Sequence, residues 1–192
     1  MSYTGDCKND YKGDNTTRFI LRTTGDKPLV IIGFRPSTAN EYVSDNTVDK
    51  MITYSTMKHH PIKFDGIIML NLYPLRTKDS ISLLPIVDTL SDIDKNKLIQ
   101  QNVEHIKNLL NRLSVEMDKI IILAAWGKPE TKTQERFFAK CLREILKATN
   151  KKCEWKMSKE TADGHPHSFR MGHEWRLKEF KVQEYLDLIS QA

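Results

Sequence analysis

Three short apolar runs, each followed at once by a polar or aromatic loop, most constrain how this chain can fold. They span Leu29–Gly33, Gly66–Leu72 and Lys119–Ala125. Runs this short and this rich in isoleucine are typical of strands buried on both faces, and the segments between them are long enough for crossover helices. The sequence therefore predicts a parallel α/β sheet.

Periodic patterns around these runs predict the remaining elements. A helix is expected after a cap at Ser44 or Asp45 and should end at 59–61, because apolar residues recur there at helical spacing. Further apolar stripes predict helices over 97–113, 133–148 and 182–189, and a fourth strand is predicted at Cys153–Met157. Phe19 and Leu21 alternate with Arg18 and Arg22, which indicates a half-exposed edge strand, and Gly25-Asp26 should turn it back as a hairpin onto the strand at Leu29.

The length of 192 residues fits one domain with a continuous core. We expect a flexible arm over residues 1–16, which are polar and turn-rich, and a single α/β domain over residues 17–192. The predicted fold has three layers, with a central, mostly parallel four-stranded sheet and an N-terminal edge hairpin strand. Without an apolar stretch of membrane-spanning length or a signal-like start, the protein is expected in the cytoplasm with no membrane partner.

The charge balance is weak evidence for a partner. The formal net charge is +5, and most of this surplus lies in residues 128–192. Such a surplus permits attraction to phosphate groups, but it is also typical of solvated helix faces.

The loop after the first buried strand contains Pro36, Ser37 and Thr38. Ligands of open parallel sheets bind outside the carboxyl ends of the strands, so hydroxyl and backbone N–H groups here could hold a phosphate, a carboxylate or the edge of a base. The same residues could form a structural turn. Arg35 suits recognition of a planar anion, or it could pair with Asp45 or Asp49.

The next two loops add an amide, a guanidinium and an indole. Asn71 lies within an apolar run, so its buried amide needs partners from a ligand or from a neighbouring loop. Arg76 could meet a phosphate or form a surface salt bridge. Trp126, directly after the third run, could stack on a base or could close the end of the cleft by packing, and packing is the favoured role.

The loop at 161–172 contains His165 and His167. Their H-x-H spacing lacks a nearby cysteine or acidic pair, so we predict no metal site and no cofactor. A histidine beside a cleft fits donation to a ligand carbonyl or to developing negative charge better. Carboxylates are scarce in the site loops, where Asp45, Asp79 and Asp163 are the candidates, and this scarcity weakens a hydrolase interpretation.

Four motifs in order resemble a bacterial and phage family catalogued as domain of unknown function 1643. They are RPSTANEYVSDNT from Arg35, NLYPLRTKD from Asn71, AAWGK from Ala124 and DGHPHS from Asp163, and the resemblance spans about Phe19 to Arg170. It implies a fold more than a reaction.

A more distant resemblance is to the uracil-DNA glycosylase superfamily, in which a proline-containing turn follows the first strand and a His-Pro element comes near the end. It implies a four-stranded parallel sheet and a base flipped into a pocket at the strand ends. Pro36 and Ser37 correspond to the first motif, and His165 with Pro166 to the last. Arg35 and His165 are thus the candidate catalytic positions, with Arg35 standing where the superfamily has Asn or Asp.

The leading interpretation is a domain that binds a nucleobase, a nucleotide or a nucleic-acid end such as DNA, with or without N-glycosidic cleavage. The candidate ligand-binding residues are Pro36, Ser37, Thr38, Asp45, Asn71, Arg76, Trp126 and His167. Two alternatives use the same loops: an enzyme acting on a small phosphorylated or carboxylated metabolite, and a non-catalytic interaction module. The sequence leaves the oligomeric state open.

Overall fold

The computed structural model describes residues 11–56, 62–77, 83–158, 161–167 and 176–191. Within these residues the chain forms one mixed sheet of seven strands and five helices. The strands are β1 (Lys12–Gly13), β2 (Arg18–Arg22), β3 (Pro28–Gly33), β4 (Gly66–Asn71), β5 (Ile120–Ala124), β6 (Cys153–Met157) and β7 (Lys178–Glu179). The helices are α1 (Asn46–Ser55), α2 (Leu83–Thr89), α3 (Asp92–Glu116), α4 (Lys132–Ala148) and α5 (Val182–Ser190).

The sheet has the spatial order β1-β2-β4-β3-β5-β6-β7. Strands β4, β3, β5 and β6 pair in parallel, whereas β1, β2 and β7 pair antiparallel with their neighbours. The predicted α/β class is confirmed. The sheet is larger than the predicted four strands with one edge strand, because β1 and β7 are two-residue strands without an apolar pattern.

Helices cover both faces of the sheet. On one face, α1 buries Val48, Met51 and Tyr54 against alternate residues of β3, β4 and β5. On the other, α2, α3, α4 and α5 share a larger core in which Ile106 and Phe138 are almost fully inaccessible to solvent. Strands buried on both faces explain the continuous isoleucine runs, since each successive side chain enters one core or the other.

The predicted hairpin between the strand at Arg18 and the strand at Leu29 is wrong. β2 pairs with β4, in the register Leu21 with Met69, and β3 lies on the far side of β4. Asp65, just before β4, accepts hydrogen bonds from the backbone N–H groups of Asp26 (3.1 Å) and Lys27 (2.8 Å), so the turn joins β4 instead of closing a two-strand hairpin. A tertiary partner outweighs the local turn signal.

The predicted helices lie close to those of the structure. Asp45 is the N-cap of α1, and α1 ends at Ser55. The segment 57–61, where the helix was expected to end, lies outside the described residues. α2 forms in a connection that the sequence left irregular.

The predicted N-terminal arm falls partly on described residues. Residues 1–10 lie outside them, whereas β1 pairs with β2 and so adds a short strand beyond the predicted edge strand. Among the residues that the structure describes, every helix is too short or too polar to cross a membrane.

Candidate functional site

A cleft of about 280 Å³ opens at the carboxyl ends of β3, β4 and β5. We call it the strand-end cleft. Of the predicted site residues, it is lined by Arg35, Ser37, Asn71 and Trp126. The parallel register explains this convergence, because Gly33 of β3 pairs with Asn71 of β4 at the same edge of the sheet. Three loops that are distant in sequence therefore meet at one place.

Five further polar residues line the strand-end cleft that the sequence did not single out: Arg18, Thr47, Lys128, Glu130 and Gln134. Arg18 is the most unexpected, because only 1% of its surface is exposed. β2 runs antiparallel to β4, so its first residue lies near the carboxyl end of β4. The alternating pattern of β2 placed Arg18 on a half-exposed strand, and only the strand pairing reveals its buried position.

The side chain of Asn71 braces the loop that follows β3 and contains Arg35, Pro36, Ser37 and Thr38, which we call the first loop. Only 1% of Asn71 is exposed. With its amide oriented so that the NH₂ group faces acceptors, that group donates to the carbonyl oxygen of Arg35 (2.8 Å). A Cβ atom at Gly33 would lie 3.2 Å from the end of the Asn71 side chain, so a residue without a side chain allows this close approach. Of the two predicted sources of partners for Asn71, the neighbouring loop supplies at least one.

Asn102 on α3 holds the carboxyl end of β4 in place through its side-chain amide. Its Nδ2 donates to the carbonyl oxygens of Asn71 (2.9 Å) and Leu72 (3.2 Å), and only 1% of Asn102 is exposed. An asparagine on the buried stripe of an amphipathic helix was a signal that the sequence interpretation missed, since burial of an amide requires such partners.

Asp45 holds the first loop against α1. One carboxylate oxygen accepts from the backbone N–H groups of Thr47 (2.9 Å) and Val48 (3.0 Å), and the other accepts from Ala39 (2.9 Å). Burial acts to raise the pKa of Asp45, but the nearby Ser37 hydroxyl group and hydrogen bonds from backbone N–H groups lower it below the usual value. Asp45 therefore stays ionised. It is not among the residues that line the strand-end cleft, but its carboxylate fixes the conformation of the first loop.

The arginines near the first loop donate to backbone carbonyl groups. Arg35 Nη1 donates to the carbonyl oxygens of Thr77 and Pro36, and Arg18 Nη1 donates to that of Ala39 (3.0 Å). These bonds fix both guanidinium groups where they line the cleft.

Arg76 and Thr38 line a different cavity, of about 510 Å³, which we call the N-terminal cavity. Arg76 donates to the carbonyl oxygens of Thr38 (2.6 Å) and Ala39 (3.1 Å) and to the hydroxyl group of Tyr11 (2.9 Å). It thus ties the first loop to the N-terminal segment. Ser37 lines both cavities, and Pro36 is buried beside them.

Trp126 lies between the strand-end cleft and the aromatic core beneath it. It lines the strand-end cleft, but it is only 3% exposed and packs against the rings of Trp155, Phe180 and Tyr185. The packing role is therefore confirmed. Gly127, which follows it, has a φ of 82°, a left-handed conformation that glycine adopts without strain.

The two predicted histidines are not among the described residues that line the strand-end cleft. His165 is 6% exposed, and its Nδ1 lies 2.9 Å from the hydroxyl group of Tyr185, which in turn accepts from Trp126 Nε1 (3.4 Å). Burial lowers the pKa of His165 below its usual value, with Lys128 acting in the same direction. His165 is therefore neutral at pH 7 and connected to the cleft through Tyr185 and Trp126. His167 is half-buried at the end of a described segment.

Charged and capping groups border the mouth of the cleft. Lys128 forms an ion pair with Asp163, and both side chains are about half-exposed. Thr131 caps α4 by accepting from the N–H group of Gln134 (3.1 Å), which places the buried Gln134 at the cleft. Asp79 lies outside the described residues. Within them, no three His, Cys, Asp or Glu side chains converge as a metal site.

The parallel strands, with a cleft at their carboxyl ends, define an α/β domain. The sequence matches the family described as Protein of unknown function (DUF1643) over residues 18–167, and the chain belongs to that family. Comparisons with curated proteins and with solved structures found no match.

Proposed function

We propose that this domain binds a nucleobase or a nucleotide in the strand-end cleft. The observation that carries the proposal is the composition of the cleft wall, in which an indole and an amide stand beside basic side chains. Trp126 offers an aromatic surface for a base, Asn71 and Gln134 offer amides for its polar edge, and Arg18 and Arg35 offer positive charge. Sites for small ligands are typically concave, with a few polar groups on an apolar wall.

The distant resemblance to uracil-DNA glycosylases supports the same class of ligand, and the order β4-β3-β5-β6 of the parallel strands agrees with a site at their carboxyl ends. Catalysis is a separate matter. Arg35 stands where that superfamily has the residue that activates water, and a guanidinium group cannot act as a general base. We therefore propose binding without N-glycosidic cleavage.

The test is a thermal-shift panel of nucleobases, nucleosides, nucleotides and short single-stranded DNA. A ligand at 100 times its Kd stabilises the native state by about 2.7 kcal/mol, which should raise Tm by roughly 5–10 °C in a protein of this size. At least one member of the panel should do so. The absence of any shift would reject the proposal.

A matched pair of variants assigns binding to the cleft. Thr47 is exposed on α1 and lines the strand-end cleft, so Thr47→Trp should fill the cleft and abolish the shift. Thr53 is exposed on the same helix but is not among the lining residues, so Thr53→Trp should bind like the wild type. Equal binding by both variants would place the ligand elsewhere. Chromatography of the same mixtures for released base tests the absence of cleavage.

A second candidate function is action on a small phosphorylated metabolite. The observation that favours it is the volume of about 280 Å³, which lies near the lower limit of typical ligand pockets. Sugar phosphates added to the panel distinguish this candidate, because they should then give a larger shift than any nucleoside or nucleotide.

A further inference from the structure

The N-terminal cavity is larger than the strand-end cleft and meets it at Ser37. Its volume is about 510 Å³, compared with about 280 Å³ for the cleft, and Ser37 lines both. A volume of this size lies within the range of small-molecule sites. A ligand with one part in the strand-end cleft can therefore place a second part in the N-terminal cavity.

The hydrogen-bonding capacity of Arg76, which lines the N-terminal cavity, is used within the protein. Its Nη1 donates to the hydroxyl group of Tyr11 (2.9 Å) and to the carbonyl oxygen of Asp14 (3.3 Å). Its Nη2 donates to the carbonyl oxygens of Thr38 (2.6 Å) and Ala39 (3.1 Å). Each of these nitrogens carries two hydrogens, so the four bonds engage both nitrogens fully. Arg76 therefore holds the cavity wall together and is not placed to bind an anionic ligand through these groups.

The charge of the cavity lining is negative. Among the described residues that line it, the carboxylates of Asp14 and Glu41 outnumber the single guanidinium group of Arg76. Hydrogen bonds from the Thr16 side chain and from the backbone N–H groups of Thr17 and Thr16 lower the pKa of Asp14 to about 2, so Asp14 is ionised at neutral pH. Oδ1 of Asp14 accepts these bonds. Such a lining repels a phosphate group, whereas a hydroxyl group meets acceptors there.

Aromatic rings and amides complete the lining. Tyr11 is half-buried, Tyr42 is 61% exposed, and Asn15 and Asn40 supply side-chain amides. The face of a tyrosine ring packs against C–H groups, while amides both donate and accept hydrogen bonds. Together with the carboxylates, these groups suit a neutral ring that carries several hydroxyl groups, which is the chemistry of a sugar.

We infer that the N-terminal cavity binds the ribose of a ribonucleoside whose base lies in the strand-end cleft. Asp14 and Glu41 accept hydrogen bonds from the ribose hydroxyl groups, as acidic residues do in other nucleotide sites. The 2′-hydroxyl group is what distinguishes a ribonucleoside from its 2′-deoxy form. This inference rests on the proposed function and narrows it to ribose-containing ligands. The free ribonucleoside is the expected source of the ribose, because the phosphodiester groups of RNA would bring further negative charge to the two carboxylates.

Calorimetric titration with matched ligands tests the inference. The probes are adenosine, guanosine, cytidine and uridine, each compared with its 2′-deoxy form and its free base. For the base that binds most tightly, the ribonucleoside should bind at least about fivefold more tightly than the 2′-deoxy form, since a site that pairs with a hydroxyl group discriminates against the analogue without it. Equal affinities would overturn the ribose site while leaving base binding intact. Failure of every base, nucleoside and nucleotide to bind would overturn the proposed function and this inference with it.

A short RNA strand separates the two sources of ribose. An RNA trinucleotide that contains the preferred base should bind more weakly than the free ribonucleoside. Tighter binding of the trinucleotide would overturn the choice of the free ribonucleoside as the ligand.

A cavity-filling variant locates the ribose. Asn15 is exposed and lines the N-terminal cavity, so Asn15→Trp should weaken binding of the ribonucleoside at least about tenfold. The free base should bind as in the wild type, because Asn15 does not line the strand-end cleft. Asn111→Trp is the matched control, since Asn111 is exposed on α3 and lines neither cavity. Equal ribonucleoside affinities of the two variants would overturn the site.

A second pair tests the carboxylate. Glu41→Ala should lower the ratio of ribonucleoside to 2′-deoxynucleoside affinity at least about threefold, because it removes an acceptor for the ribose hydroxyl groups. Glu116→Ala, at the exposed end of α3, should keep the wild-type ratio. An unchanged ratio in folded Glu41→Ala would overturn the assignment of this carboxylate to the ribose.

Discussion

The hydroxyl group of Tyr185 lies 2.9 Å from Nδ1 of His165, and it also accepts a hydrogen bond from Nε1 of Trp126 (3.4 Å). Trp126 Nε1 donates a hydrogen bond to the oxygen of Tyr185, which leaves the hydroxyl hydrogen of Tyr185 able to donate to His165 Nδ1. The neutral imidazole then carries its own proton on Nε2. A residue of the last helix thereby links a wall of the strand-end cleft to the His-Pro loop.

Removing this hydroxyl group should destabilise the protein. Tyr185→Phe leaves two buried nitrogen atoms without their described partner, so we expect a loss of about 1–3 kcal/mol in the free energy of unfolding, measured by urea denaturation. Tyr73→Phe is the matched control. The Tyr73 hydroxyl is buried with no hydrogen-bond partner among the described residues, so its removal should be neutral or stabilising. A similar loss in both variants would contradict the assigned network.

The neutral state of His165 predicts a pH dependence of stability. Its pKa in the folded state is lowered by burial below the usual 6.5, so the unfolded chain binds more protons at pH values below 6.5. Stability from this residue is complete above that pH and falls as the pH drops toward the folded-state pKa. Glu135 and Asp163 oppose the shift and Lys128 supports it.

Comparing the wild type with His165→Gln between pH 7.5 and 5 isolates this contribution, since the other histidines are common to both. The variant should lose less stability on acidification. An NMR titration of the wild type should give a pKa below 6.5 for His165, and a value above 6.5 would contradict the neutral assignment.

Asp45 should couple the stability of α1 to the shape of the cleft. Asp45→Ala removes the acceptor for Val48, Thr47 and Ala39, and loss of a helix cap typically costs about 1–2 kcal/mol. The same variant should weaken ligand binding, because the first loop loses its tie to α1. Ser91→Ala is the control. The Ser91 side chain caps α3 by accepting from the backbone N–H group of Asp94 (3.1 Å), and the substitution removes this cap. It should lower stability without changing affinity, and equal losses of affinity would argue against a specific role for Asp45.

Asn102 should contribute to the free energy of unfolding, although we assign it no contact with a ligand. Asn102→Ala leaves the carbonyl groups of Asn71 and Leu72 without this donor in the interior, for an expected loss of about 1–3 kcal/mol in thermal or urea unfolding. Asn111→Ala on the exposed face of the same helix should change stability by less than about 0.5 kcal/mol. Indistinguishable effects would mean that Asn102 does not fix the end of β4.

Much of the fold was predictable because burial on both faces of a parallel strand leaves a continuous apolar run. Such runs located β3, β4 and β5, and the 3.6-residue periodicity located α3 and α4. The placement of Arg35 and Asn71 at one edge also followed, since parallel strands end on the same side. The pairing of β2 with β4 could not be predicted from the sequence. The turn signal at Gly25 is local and does not indicate which distant strand will pair with β2.

The sequence alone determined which segments are buried, because burial produces a local periodic pattern of apolar residues. It also determined that polar loops follow several of these segments. The tertiary structure decided what each polar side chain does. It buried Arg18 in the cleft wall, used Asp45 and Arg76 to brace the first loop, and connected His165 to Tyr185. These roles depend on partners distant in the chain, and the free energy of a buried polar group depends on the partners that it meets.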